Sequence, residues 1–97
     1  MDCKIIFSPQ AISDLEAVVR YIARDDAIVA ERVGNELIDR VEILAKHPLI
    51  GAHYPRRPGV HKLVSRPYII FYRPRLAEGA VDILRYWHGA QADPNLL

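Results

Sequence analysis

The apolar residues of this sequence change their spacing near residue 47, and this change restricts the fold more than any other feature. Before it, apolar residues recur about every 3.6 positions in two stretches, which predicts amphipathic helices. After a loop rich in proline and glycine over residues 48–59, they form short runs rich in β-branched and aromatic residues, which predict strands. The chain has 97 residues, so we expect a single domain, 1–97, with its helices before most of its sheet.

The first half of the chain contains two helix starts. Ser8 followed by Pro9 is typical of an N-cap and a first helical position, and the apolar run at residues 3–7 predicts a strand just before them. Asp26 is the predicted N-cap of a second helix. We expect that helix to continue to residues 47–48, because the residue before a proline avoids the helical region. The short connection predicts an antiparallel helix hairpin.

The second half contains three predicted strands, at residues 60–66, 68–73 and 80–87, with a turn at residues 74–79. Strand alternation places four side chains of the last strand on one face: Val81, Ile83, Arg85 and Trp87. We therefore predict an α+β fold, with an N-terminal strand, an antiparallel helix hairpin and a three-strand antiparallel meander. In this two-layer arrangement, both helices pack on one face of the sheet.

The two halves of the chain carry opposite charge. Residues 1–45 have five basic and nine acidic residues, a balance of −4, whereas residues 46–97 have eight basic and three acidic residues, a balance of +5. A basic sheet half is suited to an anionic partner, either nucleic acid or an acidic protein segment. The alternative is that the two halves neutralise each other within the fold.

The run Arg85-Tyr86-Trp87-His88 closes the last strand and combines residue types that often dominate protein interfaces. Because two of its four side chains must face the helices, we expect one aromatic residue to be structural and the other to be exposed. Together with basic residues of the sheet half, the run gives the predicted partner-binding set: Lys62, Arg66, Arg73, Arg85, Tyr86 and His88.

A metal-free ribonuclease is the catalytic alternative. Such an enzyme needs a base, an acid and cations around the phosphorane, and Arg66, Arg85 and His88 are the candidates. Residues 46–77 contain no Asp or Glu, so a carboxylate base would have to come from elsewhere. We therefore expect no catalytic residues. The scattered histidines lack metal-ligand spacing, so we also expect no metal and no cofactor.

The sequence gives two expectations about location. No apolar run approaches the roughly 18 residues of a membrane span, and the first residues lack the apolar core of a signal peptide. We therefore expect a cytoplasmic protein with no membrane partner.

Four segments of the chain, in this order, resemble the ParE branch of the RelE/ParE toxin superfamily. They are residues 8–11 with Asp14, Leu15, Tyr21 and Ile22, then residues 44–51, 63–73 and 83–91. The resemblance covers nearly the whole chain. No single segment is decisive, but the common order and the closing run that ends in Gly89-Ala90-Gln91 are fairly specific.

This resemblance implies the toxin of a type II toxin–antitoxin module of the kind that stabilises plasmids. ParE toxins inhibit DNA gyrase, most directly through its A subunit, by stabilising the gyrase–DNA cleavage complex. They are binding inhibitors rather than nucleases, and no direct nucleic acid binding is expected of this chain. A ParD-like antitoxin would neutralise it by wrapping along the toxin in a hetero-oligomer.

The RelE branch implies a different function, ribosome-dependent mRNA cleavage. The chain has Arg66, Arg85 and His88 in comparable regions, but it lacks the glutamate or the lysine-rich loop of RelE-like subgroups before the sheet. It also lacks a basic or tyrosine residue at the end of its tail. These departures favour the ParE branch and leave the mRNA interferase as the alternative. A relative that binds only an antitoxin, or only itself, is a third possibility, because fold does not fix function.

Overall fold

The computed structural model describes residues 2–92 and 94. The elements follow in this order: β1 (Lys4–Phe7), α1 (Pro9–Ala23), α2 (Ala27–Arg40), α3 (Ile43–Lys46), β2 (Ala52–His53), β3 (His61–Ser65), β4 (Tyr68–Arg75), a 3₁₀ turn (Leu76–Glu78) and β5 (Ala80–His88). The strands form one mixed sheet in the order β1-β5-β4-β3-β2. The predicted α+β fold with its N-terminal strand and helix hairpin is confirmed.

Both predicted helix starts are confirmed by side-chain caps. The Ser8 Oγ accepts a hydrogen bond of 3.0 Å from the Ala11 N–H, and Pro9 is the first residue of α1. The Asp26 carboxylate accepts from the N–H groups of Ile28 and Val29 at 3.0 and 3.1 Å. Each cap satisfies N–H groups that the first helical turn leaves without an internal partner.

The prediction of one continuous second helix is wrong. The helix α2 ends at Arg40, and a separate short helix, α3, follows after two turn residues. The break accompanies the burial of Val41 and Leu44, which are 1% and 0% exposed. It also brings the Ala45 carbonyl within 2.7 Å of the Cys3 N–H beside β1. The chain changes direction here without a proline or glycine at the break. The change coincides with packing of this segment against β1.

The three-strand antiparallel meander is confirmed as β3, β4 and β5. At one edge β1 adds to β5 in parallel. At the other, β2 adds to β3 within the segment predicted as a loop. Close backbone approach holds this second edge: a Cβ atom on Gly51 would collide with the Lys62 carbonyl oxygen. Only glycine fits there, and its N–H donates to the Tyr72 Oη at 2.9 Å.

A β-bulge interrupts the pairing of β4 with β5. Phe71 lies opposite Arg85, but the next residue, Tyr72, lies opposite Ile83. Leu84 is therefore the extra residue of β5. A bulge of this kind shifts the alternation of side chains by one position beyond it.

The bulge makes the predicted face assignment of β5 wrong beyond Ile83. Val81, Ile83 and Tyr86 all join the core beneath the helices. Leu84 and Trp87 instead pack on the opposite face of the sheet. Regular alternation had grouped Trp87 with Val81 and Ile83, because the sequence alone does not reveal the inserted residue.

The main core lies between the helices and one face of the sheet, here called the inner face. Fully or nearly fully buried residues come from every layer: Ala11, Leu37, Val41, Leu44, Leu63, Ile70, Tyr72, Val81, Ile83 and Tyr86. The contacts of α1 with both α2 and β5 place the hairpin on this face. The predicted arrangement of both helices on one side of the sheet is therefore correct.

Candidate functional site

The face of the sheet opposite the helices, here called the outer face, carries a second apolar cluster. Tyr54, Val60 and Phe71 are buried in it, and Ile69, Leu84 and Trp87 pack against them partly buried. The loop after β2 supplies Tyr54, whose ring meets Phe71 edge-on at 5.0 Å. Val64 is 51% exposed and shares the strand alternation of Lys62 on this face. The outer face is therefore covered only in part.

Two predicted binding residues lie on the outer face. The Lys62 Nζ is 5.8 Å from the centre of the Tyr54 ring, a weakly attractive cation–π geometry. Arg73 donates to Asp82 at 3.2 Å, but almost half of its side chain remains exposed. Both cations are therefore accessible to a partner, and Arg73 already has an anionic neighbour.

Arg85 has a partner that the sequence alone does not indicate. Its Nε and Nη2 donate to the two carboxylate oxygens of Asp14 at 2.7 and 2.9 Å. The same guanidinium is 4.9 Å from the centre of the Trp87 ring. A bidentate ion pair combined with a cation–π contact fixes the position of the guanidinium.

Asp14 also satisfies the backbone of β5. One of its oxygens accepts from the Tyr86 N–H at 3.1 Å, because β1 no longer runs beside β5 at that point. The carboxylate therefore takes the place of a neighbouring strand at an open sheet edge. In this way α1 holds both the main chain of β5 and the Arg85 side chain.

Tyr86 is structural, although it was predicted as a partner contact. It is 2% exposed, and its hydroxyl donates to the Leu37 carbonyl at 2.9 Å. Burial raises the pKa of Tyr86, so the phenol stays protonated. Trp87 is only partly buried, and its Nε1 donates to the Ala92 carbonyl at 2.7 Å. One member of the pair is therefore structural, as expected, but the other is partly buried rather than exposed.

His88 lies at the end of β5, beside the turn between β3 and β4. Its ring meets the ring of Tyr68 edge-on at 5.6 Å. The His88 Nδ1 accepts from the Ala90 N–H at 3.1 Å, which assigns the ring proton of the neutral form to Nε2. The next residue, Gly89, donates its N–H to the Pro67 carbonyl at 2.8 Å. These contacts hold the histidine against the end of the sheet.

A groove of about 520 Å³ opens between α1 and this end of the sheet. We call it the α1–β5 groove, and it is lined by Asp14, Ala17, Val18, Tyr21, Ile22, Tyr68, Tyr86, Trp87, His88 and Gln91. Burial, with a smaller contribution from Tyr21, raises the pKa of Tyr68. Tyr68 is therefore a neutral hydrogen-bonding group at physiological pH rather than a base.

The three candidate nuclease residues do not share this groove. Arg66 lines a neighbouring pocket of about 190 Å³ together with Glu36 and Tyr68. Arg85 lines neither of these two cavities, and its guanidinium is held by Asp14. Among its described lining residues, the α1–β5 groove contains neither lysine nor arginine. It therefore offers no guanidinium or ammonium group to a phosphorane.

The contribution of α1 to this region is not visible in the sequence alone. Asp14 and Tyr21 face the end of β5, yet Asp14 is 71 positions from Arg85 in the chain. Their positions within a predicted amphipathic helix mark them only as side chains beside the apolar stripe. No spacing rule connects such residues to a distant strand, so only the folded structure brings them together.

Within residues 2–92 and 94, no group of three or more His, Cys, Asp or Glu side chains is arranged to hold a metal ion. None of the helices in that part of the chain is both long and apolar enough to cross a bilayer.

Comparisons with known proteins agree with the fold. A family model described as "ParE toxin of type II toxin-antitoxin system, parDE" matches residues 5–93. No curated protein sequence matches the chain.

Two solved structures resemble the chain closely in fold. A chain from the chromosomal ParDE toxin–antitoxin system of P. aeruginosa has a TM-score of 0.75 and 23% identity, and the match covers 89% of this chain and 95% of that one. A chain from the RelBE2 toxin–antitoxin complex of Mycobacterium tuberculosis has a TM-score of 0.71 and 22% identity, with coverages of 91% and 99%. At these identities the two structures support the fold alone.

Proposed function

The chain belongs to the ParE family of toxins from type II toxin–antitoxin systems, and on that premise we propose that it inhibits DNA gyrase. In this proposal it binds the gyrase A subunit in the cytoplasm and stabilises the gyrase–DNA cleavage complex. A ParD-like antitoxin neutralises it in a hetero-oligomer, and the module stabilises the replicon that carries it. The toxin acts as a binding inhibitor and performs no chemistry of its own.

The ion pair between Arg85 and Asp14 is the structural observation that favours inhibition by binding over RNA cleavage. A nuclease would need the guanidinium free to stabilise a phosphorane, but here both of its forked donors point at a carboxylate. The α1–β5 groove beside it has no described lysine or arginine in its lining. These features leave surface recognition as the function that the geometry supports best.

The first experiment measures supercoiling by purified gyrase in the presence of the purified chain. We expect supercoiling to fall as the toxin concentration rises, and we expect induced expression in cells to activate the SOS response. Unchanged supercoiling at a large excess of folded toxin would exclude gyrase as the target.

Ribosome-dependent mRNA cleavage is the second candidate function. One observation favours it: Tyr68 lies close to His88, with ring centres 5.6 Å apart. Histidine can donate or accept a proton near neutral pH, and Arg66 lines the adjacent pocket.

Primer extension on cellular mRNA after induction tests this alternative. If the chain is an mRNA interferase, cleavage will appear rapidly and will be abolished by Arg66→Ala or His88→Ala. The matched control is Arg56→Ala, an exposed arginine of the loop that covers the outer face. If gyrase is the target, none of these variants will produce or remove an mRNA cleavage product.

We still propose partner binding for five of the six residues predicted from the sequence. Lys62, Arg66, Arg73, Arg85 and His88 are the cations and the imidazole that we expect partners to contact. Tyr86 leaves this set because its side chain is buried in the core. A basic surface of this kind suits an acidic partner segment and accelerates its association at low salt.

A further inference from the structure

Two histidines face each other across the sheet edge that β2 forms. His53 of β2 lies directly opposite His61 of β3, and the centres of their rings are 4.4 Å apart. At the next position, the Tyr54 N–H donates to the Val60 carbonyl at 2.8 Å. Hydrogen-bonded and non-hydrogen-bonded pairs alternate along an antiparallel ladder, so His53 and His61 form a non-hydrogen-bonded pair, in which side chains lie closer together.

A backbone contact fixes the orientation of the His61 ring. His61 is 5% exposed, and its Nδ1 lies 3.2 Å from the Gly51 carbonyl oxygen. Because a carbonyl oxygen can only accept, Nδ1 donates, and the neutral ring has its lone pair on Nε2. Metal-binding histidines usually donate their second ring N–H to such a partner, which fixes the tautomer and the orientation of the ring.

The Gly51 carbonyl is itself held in place. The Gly51 N–H donates to the Tyr72 Oη at 2.9 Å, and the close approach of Gly51 to the Lys62 carbonyl leaves no room for a side chain. The His61 ring also lies beside the Tyr72 ring, with 5.4 Å between their centres. His53, by contrast, is exposed, so its ring can turn either nitrogen towards His61. A fixed imidazole and an adjustable one therefore lie side by side.

The separation of the two rings suits a shared metal ion. A bond of about 2.0–2.1 Å between a ring nitrogen and the ion places the ring centre about 3.2 Å from the ion. Two such bonds at a right angle place the ring centres about 4.5 Å apart, whereas a tetrahedral angle places them about 5.2 Å apart. The observed separation of 4.4 Å corresponds to the right angle.

The chemistry of the ligands restricts the ion. Ca²⁺ and Mg²⁺ prefer oxygen ligands, whereas imidazole suits Cu²⁺, Ni²⁺ and Zn²⁺. Within residues 2–92 and 94, no third His, Cys, Asp or Glu joins the two histidines as a ligand, which leaves the remaining positions to water. Structural Zn²⁺ sites are almost always tetrahedral, whereas right angles between ligands are typical of the square-planar or tetragonal sites of Cu²⁺ and Ni²⁺.

We propose that His53 and His61 form a binding site for a divalent transition-metal ion, with Cu²⁺ bound more tightly than Ni²⁺. The ion bonds to Nε2 of His61 and to one ring nitrogen of His53, and it joins β2 to β3 at the edge of the sheet. Spacing along the sequence predicts no metal, because only the pairing of β2 with β3 brings these two histidines together. The site depends neither on the gyrase target nor on the antitoxin proposed above.

Titration calorimetry with copper(II) chloride and nickel(II) chloride tests the site on the untagged full chain, freed of metal beforehand. We expect one ion per chain, with Cu²⁺ bound more tightly than Ni²⁺. His53→Ala should bind at least about tenfold more weakly. Because His53 is exposed, this variant should keep the fold, and its melting temperature without metal checks that it does.

The matched control is His47→Ala, because His47 is also exposed and lies outside the pair. It should bind the ions like the unmodified chain. Equal binding by His53→Ala and the unmodified chain would mean that the ion is held elsewhere. Either that result or the absence of binding by the unmodified chain would overturn the proposal.

Electron paramagnetic resonance of the Cu²⁺ complex tests whether the two rings share the ion. The spectrum of the unmodified chain should show coupling to two imidazole nitrogens, and that of His53→Ala should show coupling to one at most. Coupling to a single nitrogen in the unmodified chain would contradict shared coordination and overturn the proposed site.

Discussion

At the scale of single residues, Asp14 organises the junction between α1 and the end of β5. Its carboxylate accepts two hydrogen bonds from Arg85 and one from the Tyr86 N–H. Both charged side chains are largely buried, with 24% of Arg85 and 16% of Asp14 exposed. Removing one partner of such a pair leaves the other partly desolvated and unpaired, so the loss exceeds that of a surface ion pair.

We predict that Asp14→Ala destabilises the fold by about 1.5–3 kcal/mol. The substitution leaves both the Arg85 charge and the Tyr86 N–H without their partner. Urea unfolding followed by circular dichroism measures the effect. Glu16→Ala on the exposed side of the same helix is the control and should change stability by less than about 0.5 kcal/mol. Equal effects of the two substitutions would show that the Asp14 contacts contribute nothing specific.

At the scale of elements, ion pairs stabilise the β4–β5 hairpin in addition to the backbone hydrogen bonds between its two strands. The Asp82 carboxylate accepts hydrogen bonds from Nε and Nη2 of Arg75, at 2.8 and 3.0 Å. It also accepts one from the Arg73 guanidinium. The hydrogen bond from Arg75 lowers the pKa of Asp82 below its ordinary 3.8, against the opposing effect of burial, and Arg73 adds to the lowering.

This lowered pKa predicts how acid affects the hairpin. The stabilisation by Asp82 is fully present above its ordinary pKa of 3.8 and is lost as the pH falls through the lower, folded-state value. Asp82→Asn should therefore be less stable than the unmodified chain at pH 7, and the difference should shrink as the pH falls below about 3.8. Thermal unfolding at a series of pH values measures this, and a constant difference would contradict it.

The outer face of the sheet allows a comparison between an aromatic residue of β4 and one of β5, because Phe71 and Trp87 belong to the same apolar cluster. Phe71 is 0% exposed, whereas Trp87 is only partly buried against the outer-face cluster. We predict that Phe71→Ala costs about 3–5 kcal/mol and that Trp87→Ala costs less. Denaturation midpoints, compared at equal m-value, show which of the two substitutions costs more stability. A larger loss for Trp87→Ala would mean that the outer-face cluster depends on the indole rather than on the phenyl ring.

Element identity was predictable from the sequence wherever its signal is local. The caps at Ser8 and Asp26, and the aromatic runs of β4 and β5, depend only on neighbouring residues. The bulge at Leu84, the strand β2 and the end of α2 at Arg40 depend on how distant segments pair and pack. Register is a property of two strands together, so a single run of sequence does not contain it.

At the scale of the whole molecule, the opposite charges of the two halves are only partly used within the fold. The Asp14–Arg85 pair joins the acidic half to the basic half, whereas Asp82 pairs with arginines of its own half. Lys62 and Arg66 form no ion pair among the described contacts, so basic surface remains for a partner. Neutralisation between the halves therefore contributes but is incomplete.

The candidate site was predictable only in part at this scale. The closing run of β5 and the basic residues of the sheet were visible in the sequence because they are close together in the chain. The groove was not visible, because one of its walls is α1, and Asp14 of α1 is 71 positions from Arg85 of β5 in the chain. The site is thus a product of the way α1 crosses the open edge of β5.

The gyrase–DNA cleavage complex provides the most direct test of the proposed function. Purified toxin, gyrase and plasmid DNA are incubated, gyrase is denatured and digested, and linear DNA is quantified. We predict that linear DNA accumulates with increasing toxin and that prior binding of the ParD-like antitoxin prevents it. An unchanged amount of linear DNA with folded, antitoxin-binding toxin would contradict gyrase poisoning, most clearly if the same preparation cleaves mRNA on ribosomes.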